Sequence, residues 1–285
     1  MEILQLLVYG IVFGSIITLG AIGVSMVFGI LRFAHFAHGD LMTLGAYLAF
    51  VFVVTAGLPM ALAFLFAAIG TALAAVVLDQ TLYRRLRRSS PVILLISSFG
   101  VALILRSLVQ LIWGPSTLVY ESGIQLPVTF AGLRFKEDHF WIVGGAVALV
   151  TALHVFLKYT TMGKAMRAVS DNLDLARVTG IDTERVVIWT WIIAGVMAAA
   201  AGVFLAMDTR LHPTMGWRIL LSIFAAVILG GIGRPYGAIA GGMVIGLSEE
   251  MSTLFINPSY KAAVSFAILV GMLIVRPTGL FGGRS

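Results

Sequence analysis

The chain alternates long apolar stretches with short polar interruptions from one end to the other. Residues 3–31, 60–82, 91–113 and 186–207 each reach or exceed the roughly 20 residues that carry a helix across a bilayer. In lipid, only helices and closed barrels satisfy every backbone N–H and C=O, and no strand-like alternation runs through these stretches. With 60% hydrophobic and 11% charged residues, too little polar surface exists to coat a soluble globule of 285 residues. The expected fold is therefore an all-α integral membrane protein: one domain over residues 1–285, a polytopic bundle of 8–9 transmembrane helices with discontinuous elements.

Charge supplies the orientation. The net charge of +6 is unevenly spread, and Arg84, Arg85, Arg87 and Arg88 form a block that seldom crosses a membrane. Placing that block in the cytoplasm also puts Arg32, Lys158, Lys164, Arg167, Arg177, Arg185, Arg234, Arg276 and Arg284 inside. Arg134, Lys136, Arg210, Arg218 and Lys261 then lie outside. The N-terminus is expected outside and the C-terminus in the cytoplasm, and residues 1–10 read as the start of a first span rather than a removable signal. Residues 114–138, with Pro115, Glu121 and Pro127, read as an external loop. Residues 219–254 are either two spans meeting at a glycine turn or a re-entrant or broken element. Val27 to Arg32 and Val227 to Arg234 echo each other weakly, as a duplicated transport protein would.

Residues 160–185 keep charge, polarity and helical periodicity together. Met162, Ala165, Met166, Val169, Leu173 and Ala176 recur at spacings of three or four and share a face, while Lys164, Arg167, Asp171, Asp174 and Arg177 lie largely elsewhere. Ser170, Asp171 or Asn172 can cap a second short helix, Gly180 can end it in the left-handed region, and Asp182 can cap the next span. By periodicity alone this is a surface connector or a pair of short docking helices.

Several motifs resemble those of the permease subunits of ABC importers for branched-chain amino acids, of the H type in the high-affinity system. They are Gly163-Lys164-Ala165-Met166-Arg167 with Asn172, Ala176 and Gly180-Ile181; Phe36-Ala37-His38-Gly39-Asp40; the glycines from Gly230 to Gly242; and Arg276-Pro277-Thr278-Gly279-Leu280-Phe281-Gly282. The resemblance runs in order along nearly the whole chain. It departs at His35, where Asn is commoner, and at Arg234-Pro235-Tyr236, a bulkier turn than usual. It implies that 160–185 is a cytoplasmic coupling segment for an ATPase, with Gly163, Met166, Arg167, Val169, Asn172, Ala176, Gly180 and Ile181 as coupling residues. It also implies a homologous second permease, two cytoplasmic ATPase subunits, a periplasmic solute-binding protein and a multi-pass location in the bacterial inner membrane surrounded by lipid. Nucleic acid is not an expected partner.

Candidates for the pathway and its gate are His35, Phe36, His38, Gly39, Asp40, Arg106, Gly230, Gly231 and Gly233. Arg106 within a span either lines the pathway, snorkels outward or pairs with an acid such as Glu249 or Glu250. His35 and His38 lack a third strong ligand, so no metal is expected there, and their expected role is polar capping of a broken helix end. No Gly-x-x-x-x-Gly-Lys-Ser/Thr occurs, so this chain is not expected to hydrolyse ATP by a P-loop; the resemblance implies that ATP is used by partner subunits and that no cofactor is bound by this chain. No catalytic residue is expected, and the chain is not read as an enzyme. The alternatives are a permease of the same type for urea, amides or other small solutes, or a stand-alone secondary transporter. The latter would place carboxylates deep in the membrane, whereas the acids here fall near span ends.

Overall fold

The computed structural model describes residues 2–87, 89–120, 128–130 and 133–282. Arg88, Glu121, Pro127 and Arg284 lie outside the described residues. The first helix, α1 (Glu2–Leu31), is continuous and buried around nearly its whole circumference from Val12 to Ile30. At 1.5 Å per residue its 30 residues extend about 45 Å, more than the hydrocarbon core requires. It is the axis on which the other helices pack.

α1 ends at Arg32, which adopts a positive φ of 59°, and residues 32–37 continue without regular structure. They turn back into the bundle, so that His38, at the start of α2 (His38–Phe50), packs against Gly23, midway along α1. A buried irregular segment needs partners for its backbone. Ser98 supplies one, accepting from the Phe36 N–H at 3.1 Å while its own hydroxyl donates to the Leu95 carbonyl. α2 runs on through a π-helical stretch, Val51–Thr55. Next, α3 (Met60–Leu78) continues through the π turn Asp79–Tyr83 into the short α4 (Arg84–Leu86), and α5 (Pro91–Trp113) opens on a proline.

Within the expected external loop, β1 (Val128–Phe130) and β2 (Leu133–Phe135) form an antiparallel hairpin. α6 (Glu137–Tyr159) leads to the short α7 (Thr161–Asp171) and α8 (Leu173–Val178), followed by α9 (Thr183–Asp208). α10 (Met215–Gly230), α11 (Pro235–Ser252) and α12 (Lys261–Val275) complete the bundle. Seven helices are long and apolar enough to span, and α10 is a shorter apolar helix. With α11, nine elements of membrane scale result. The uncertain region 219–254 is thus two helices joined at a glycine turn, the first of them short.

Glycine sets the closest approaches. A Cβ on Gly246 would lie 2.2 Å from the Gly14 Cα, and one on Gly242 would lie 2.6 Å from the Thr18 Cα. α11 therefore crosses α1 antiparallel at backbone contact. Gly237 and Gly241 lie against Gly230 and Ala226 and bring α11 equally close to α10. Small residues at four-residue spacing allow this, and dispersion between close backbones replaces the hydrophobic drive that lipid removes.

The packing repeats itself. α1 crosses α11 as α9 crosses α3; α2 lies beside α3 and α5 as α10 lies beside α11 and α12; and the first turns of α2 and α10 meet, Gly39 against the Gly216 carbonyl and Gly216 against that of Gly39. α1 and α9 run in opposite directions, so the two halves are inverted. The echo between Val27–Arg32 and Val227–Arg234 set α1 against α10, whereas the packing sets α1 against α9; the short sequence match is not the register of the repeat.

Candidate functional site

At one end of the bundle lie the arginine block, α7, α8, the Gly231–Arg234 turn and the C-terminal segment. Thr160 caps α7 by accepting from the Gly163 N–H at 2.9 Å, and Asn172 caps α8 by accepting from the Leu175 N–H at 2.9 Å. Gly180 takes a φ of 83°, and Asp182 caps α9. Each of these local features follows from residue chemistry visible in the sequence.

Burial divides the candidate coupling residues. Gly163, Met166, Val169 and Ala176 are buried against the chain itself, and Arg167 donates to the Leu157 carbonyl at 2.5 Å. Ile181 is half-buried, while Asn172 and Gly180 shape the turns. These residues hold the segment in place. The outward face carries others: Leu175 is 61% exposed and Val178 85% exposed, with Leu173 beside them. Leu175 and Val178 fall off the three-to-four stripe, while Leu173, which the periodicity set on the buried stripe, is 37% exposed; the signal was three bulky apolar side chains within a six-residue surface helix. Arg32 ties the segment to α1 by donating to the Ser170 carbonyl. Arg87 binds the buried Asp79 at 2.5 Å and Glu184 at 2.9 Å, which anchors α3 to the start of α9.

The second cluster lies where α2 begins. Arg106 on α5 grips Asp40 through two bonds, Nε to Oδ1 and Nη2 to Oδ2, both 3.0 Å. Its side chain is 16% exposed and that of Asp40 only 1%. The guanidinium also lies 4.6 Å from the Trp217 ring centroid. Such fork pairing fixes geometry as well as charge, and the ring accepts the cation's remaining field. Phe36 packs on Phe224 at 5.0 Å and Phe99 on Trp217 at 5.6 Å.

The expected partners of Arg106 were Glu249 or Glu250. Glu249 instead accepts from the hydroxyls of Ser222 and Ser265, and Glu250 pairs with Lys261 at 2.6 Å. The sequence could not show that α2 starts inside the bundle, which is what brings Asp40 to Arg106. For the same reason Asp40 is buried rather than placed at a span end.

Phe36, Gly39, Asp40 and Arg106 thus come together, joined by Trp217, Phe99 and Phe224, which sequence reasoning missed. Gly230, Gly231 and Gly233 do not join them. They form the turn at the opposite end of α10, where Leu280 and Phe281 donate to the Leu229 and Gly230 carbonyls and Gly233 packs on Gly29. Nor do His35 and His38 cap the broken helix with their side chains. His35 Nε2 lies 3.1 Å from the Tyr83 hydroxyl within a cluster of Phe33, Tyr83 and Trp191, and the His38 ring packs on Gly23.

Residues 6–273 match the sequence profile of a family described as the permease component of the branched-chain amino acid transport system. The high-affinity branched-chain amino acid permease protein LivH of Salmonella typhimurium is 34% identical, over 98% of this chain and 95% of that protein. LivH of Escherichia coli strain K12 is 33% identical over the same shares. A probable branched-chain amino acid permease protein LivH of Methanocaldococcus jannaschii is 28% identical over 95% of this chain and 90% of its own length. Among solved structures, PsaBC from Streptococcus pneumoniae in complex with Fab superimposes with a TM-score of 0.54 at 15% identity, covering 97% of this chain and 92% of that one. That likeness concerns the fold.

Proposed function

The chain belongs to the family of permease components of branched-chain amino acid transport systems, and on that premise we propose that it forms half of the membrane pathway of an ATP-driven importer for branched-chain or related amino acids. A second, homologous permease completes the pathway, two cytoplasmic ATPase subunits drive it, and a periplasmic binding protein delivers the cargo. The complex lies in the inner membrane, with the N-terminus of this chain outside and its C-terminus in the cytoplasm.

The observation that supports this reading best is the exposed apolar face of α8. Leu175 and Val178 stand out into solvent on a short helix whose other face is anchored by buried Ala176. A six-residue helix gains nothing by exposing such side chains unless a partner covers them, and exposed apolar patches rimmed by charge mark protein contacts. Asp174, Arg177 and Arg185 supply that rim. Motion of the partner would pass through α7 to α1 by way of Arg32 and to α9 by way of Ile181.

A stand-alone secondary transporter fits less well. Of the three carboxylates buried among the described residues, Asp40 and Asp79 are each paired with an arginine, and Glu249 is held by the hydroxyls of Ser222 and Ser265. Uptake of labelled leucine into vesicles bearing the full complex should require ATP and the binding protein. Uptake by this chain alone on a proton or sodium gradient would overturn the importer. Val178→Asp should release the ATPase subunits on purification without loss of membrane insertion.

A further inference from the structure

Arg106 raises a question that its ion pair does not answer. A charged side chain reaching the surface at bilayer depth does not face lipid without heavy cost, so the face of the bundle that exposes it borders water or another protein. That face has a definite shape. On α10, Trp217, Leu221 and Phe224 are spaced four and three apart and form one stripe. On α5, Phe99 and Arg106 are seven apart and share a face. α5 and α10 do not pack on each other along their backbones; both lean on the start of α2 between them. Side chains alone bridge the gap, Phe99 and Arg106 to Trp217 and Phe36 to Phe224. The result is a strip between two helices, backed by the broken segment at Phe36 and exposed along Leu221 and Phe99, at 40% and 41%.

We infer that this strip is a contact station for the transported amino acid, at which Arg106 receives the α-carboxylate and Phe36, Phe99, Leu221 and Phe224 pack against an apolar side chain. The inference rests on the importer reading above and adds the site to it. Asp40 occupies Nε and Nη2 of the guanidinium and leaves Nη1 outside the pair. The fork on Asp40 and the Trp217 ring keep the head group oriented before cargo arrives, so little ordering cost falls on binding. Aromatic walls accept branched side chains without a hydrogen-bonding group that would demand a polar one. Asp40, almost wholly enclosed, is a positioning residue: it aims Arg106 and does not meet the cargo.

The chain has no cysteine, so single cysteines report accessibility directly. In the complete complex in vesicles, Leu221→Cys should react with a hydrophilic thiol reagent far faster than Leu65→Cys, which lies exposed on α3. Equal inertness at both positions would overturn the inference by placing the α10 stripe against lipid or protein. Leu221→Trp crowds the strip and should lower ATP-driven leucine uptake by at least about tenfold, the scale of a misfit at an apolar contact, with the ATPase subunits still bound. Unchanged uptake would also overturn it. The labelling arm needs no transport. Failure of the unmodified complex to take up leucine with ATP would therefore sink the importer reading alone, while the labelling still decides whether the strip is accessible.

Discussion

Gly246→Ala isolates the contact that sets α11 against α1. The new Cβ would stand 2.2 Å from the Gly14 Cα and 2.4 Å from its N, against the 3.4 Å at which ordinary contact begins. The obstacle is backbone, so no side chain can swing away, and α11 has to retreat by about 1.2 Å. A radial gap of 0.5–1 Å already forfeits roughly a quarter to a half of each dispersion well. That loss applies along the whole crossing, where Gly10 meets Leu247 and Thr18 meets Gly242. Overpacking of this kind costs about 1–3 kcal/mol. Against it stands the helix-propensity gain of Gly→Ala, about 1 kcal/mol at most. The net destabilisation is about 0–2 kcal/mol, whereas the same gain leaves Gly271→Ala stabilised. Gly271→Ala in α12 meets nothing within 4 Å and receives only the propensity gain. Unfolding in mixed micelles with increasing SDS, followed by tryptophan fluorescence, compares the two. Equal stability of Gly246→Ala and Gly271→Ala would refute the idea that backbone contact holds α1 to α11.

Arg87→Met leaves Asp79 buried without its cation and should cost about 3–5 kcal/mol, most of it recovered in Arg87→Met/Asp79→Asn; thermal unfolding of the three proteins in detergent checks the coupling. Gly180→Val meets no neighbour but forces a β-branched residue to a φ of 83°, so it should destabilise the α8–α9 junction by about 1–2 kcal/mol. Faster proteolysis between α7 and α9, with the remaining helices protected, is the expected readout. Cysteines at Ser89 and Thr117 should label from opposite sides of the membrane, and labelling from the same side would discard the topology.

The inward and the outward residues of α7 and α8 differ in how visible they were. Met166, Val169 and Ala176 announced themselves because a helix on a surface must bury one stripe, and that stripe has a period. Leu175 and Val178 have no period to obey, since the chain itself does not cover them; only their exposure in the folded protein marks them. The caps at Thr160, Asn172 and Asp182 and the left-handed Gly180 lie between these cases: each is decided by its own side chain and the next three residues.

Local chemistry by itself determined that the chain spans a membrane, where most spans begin and end, and which end gathers the arginines, because lipid leaves the backbone only helices and charge only the ends. Long-range approach decided the rest. That α1 is the central axis, that α11 can touch it at Gly14, and that two inverted halves meet at Gly39 and Gly216 depend on glycines whose partners lie up to 240 positions away, as Gly10 to Glu250. Arg106 found Asp40 for the same reason: a helix that breaks at Arg32 and restarts inside the bundle carries a carboxylate to a depth that no hydropathy profile records.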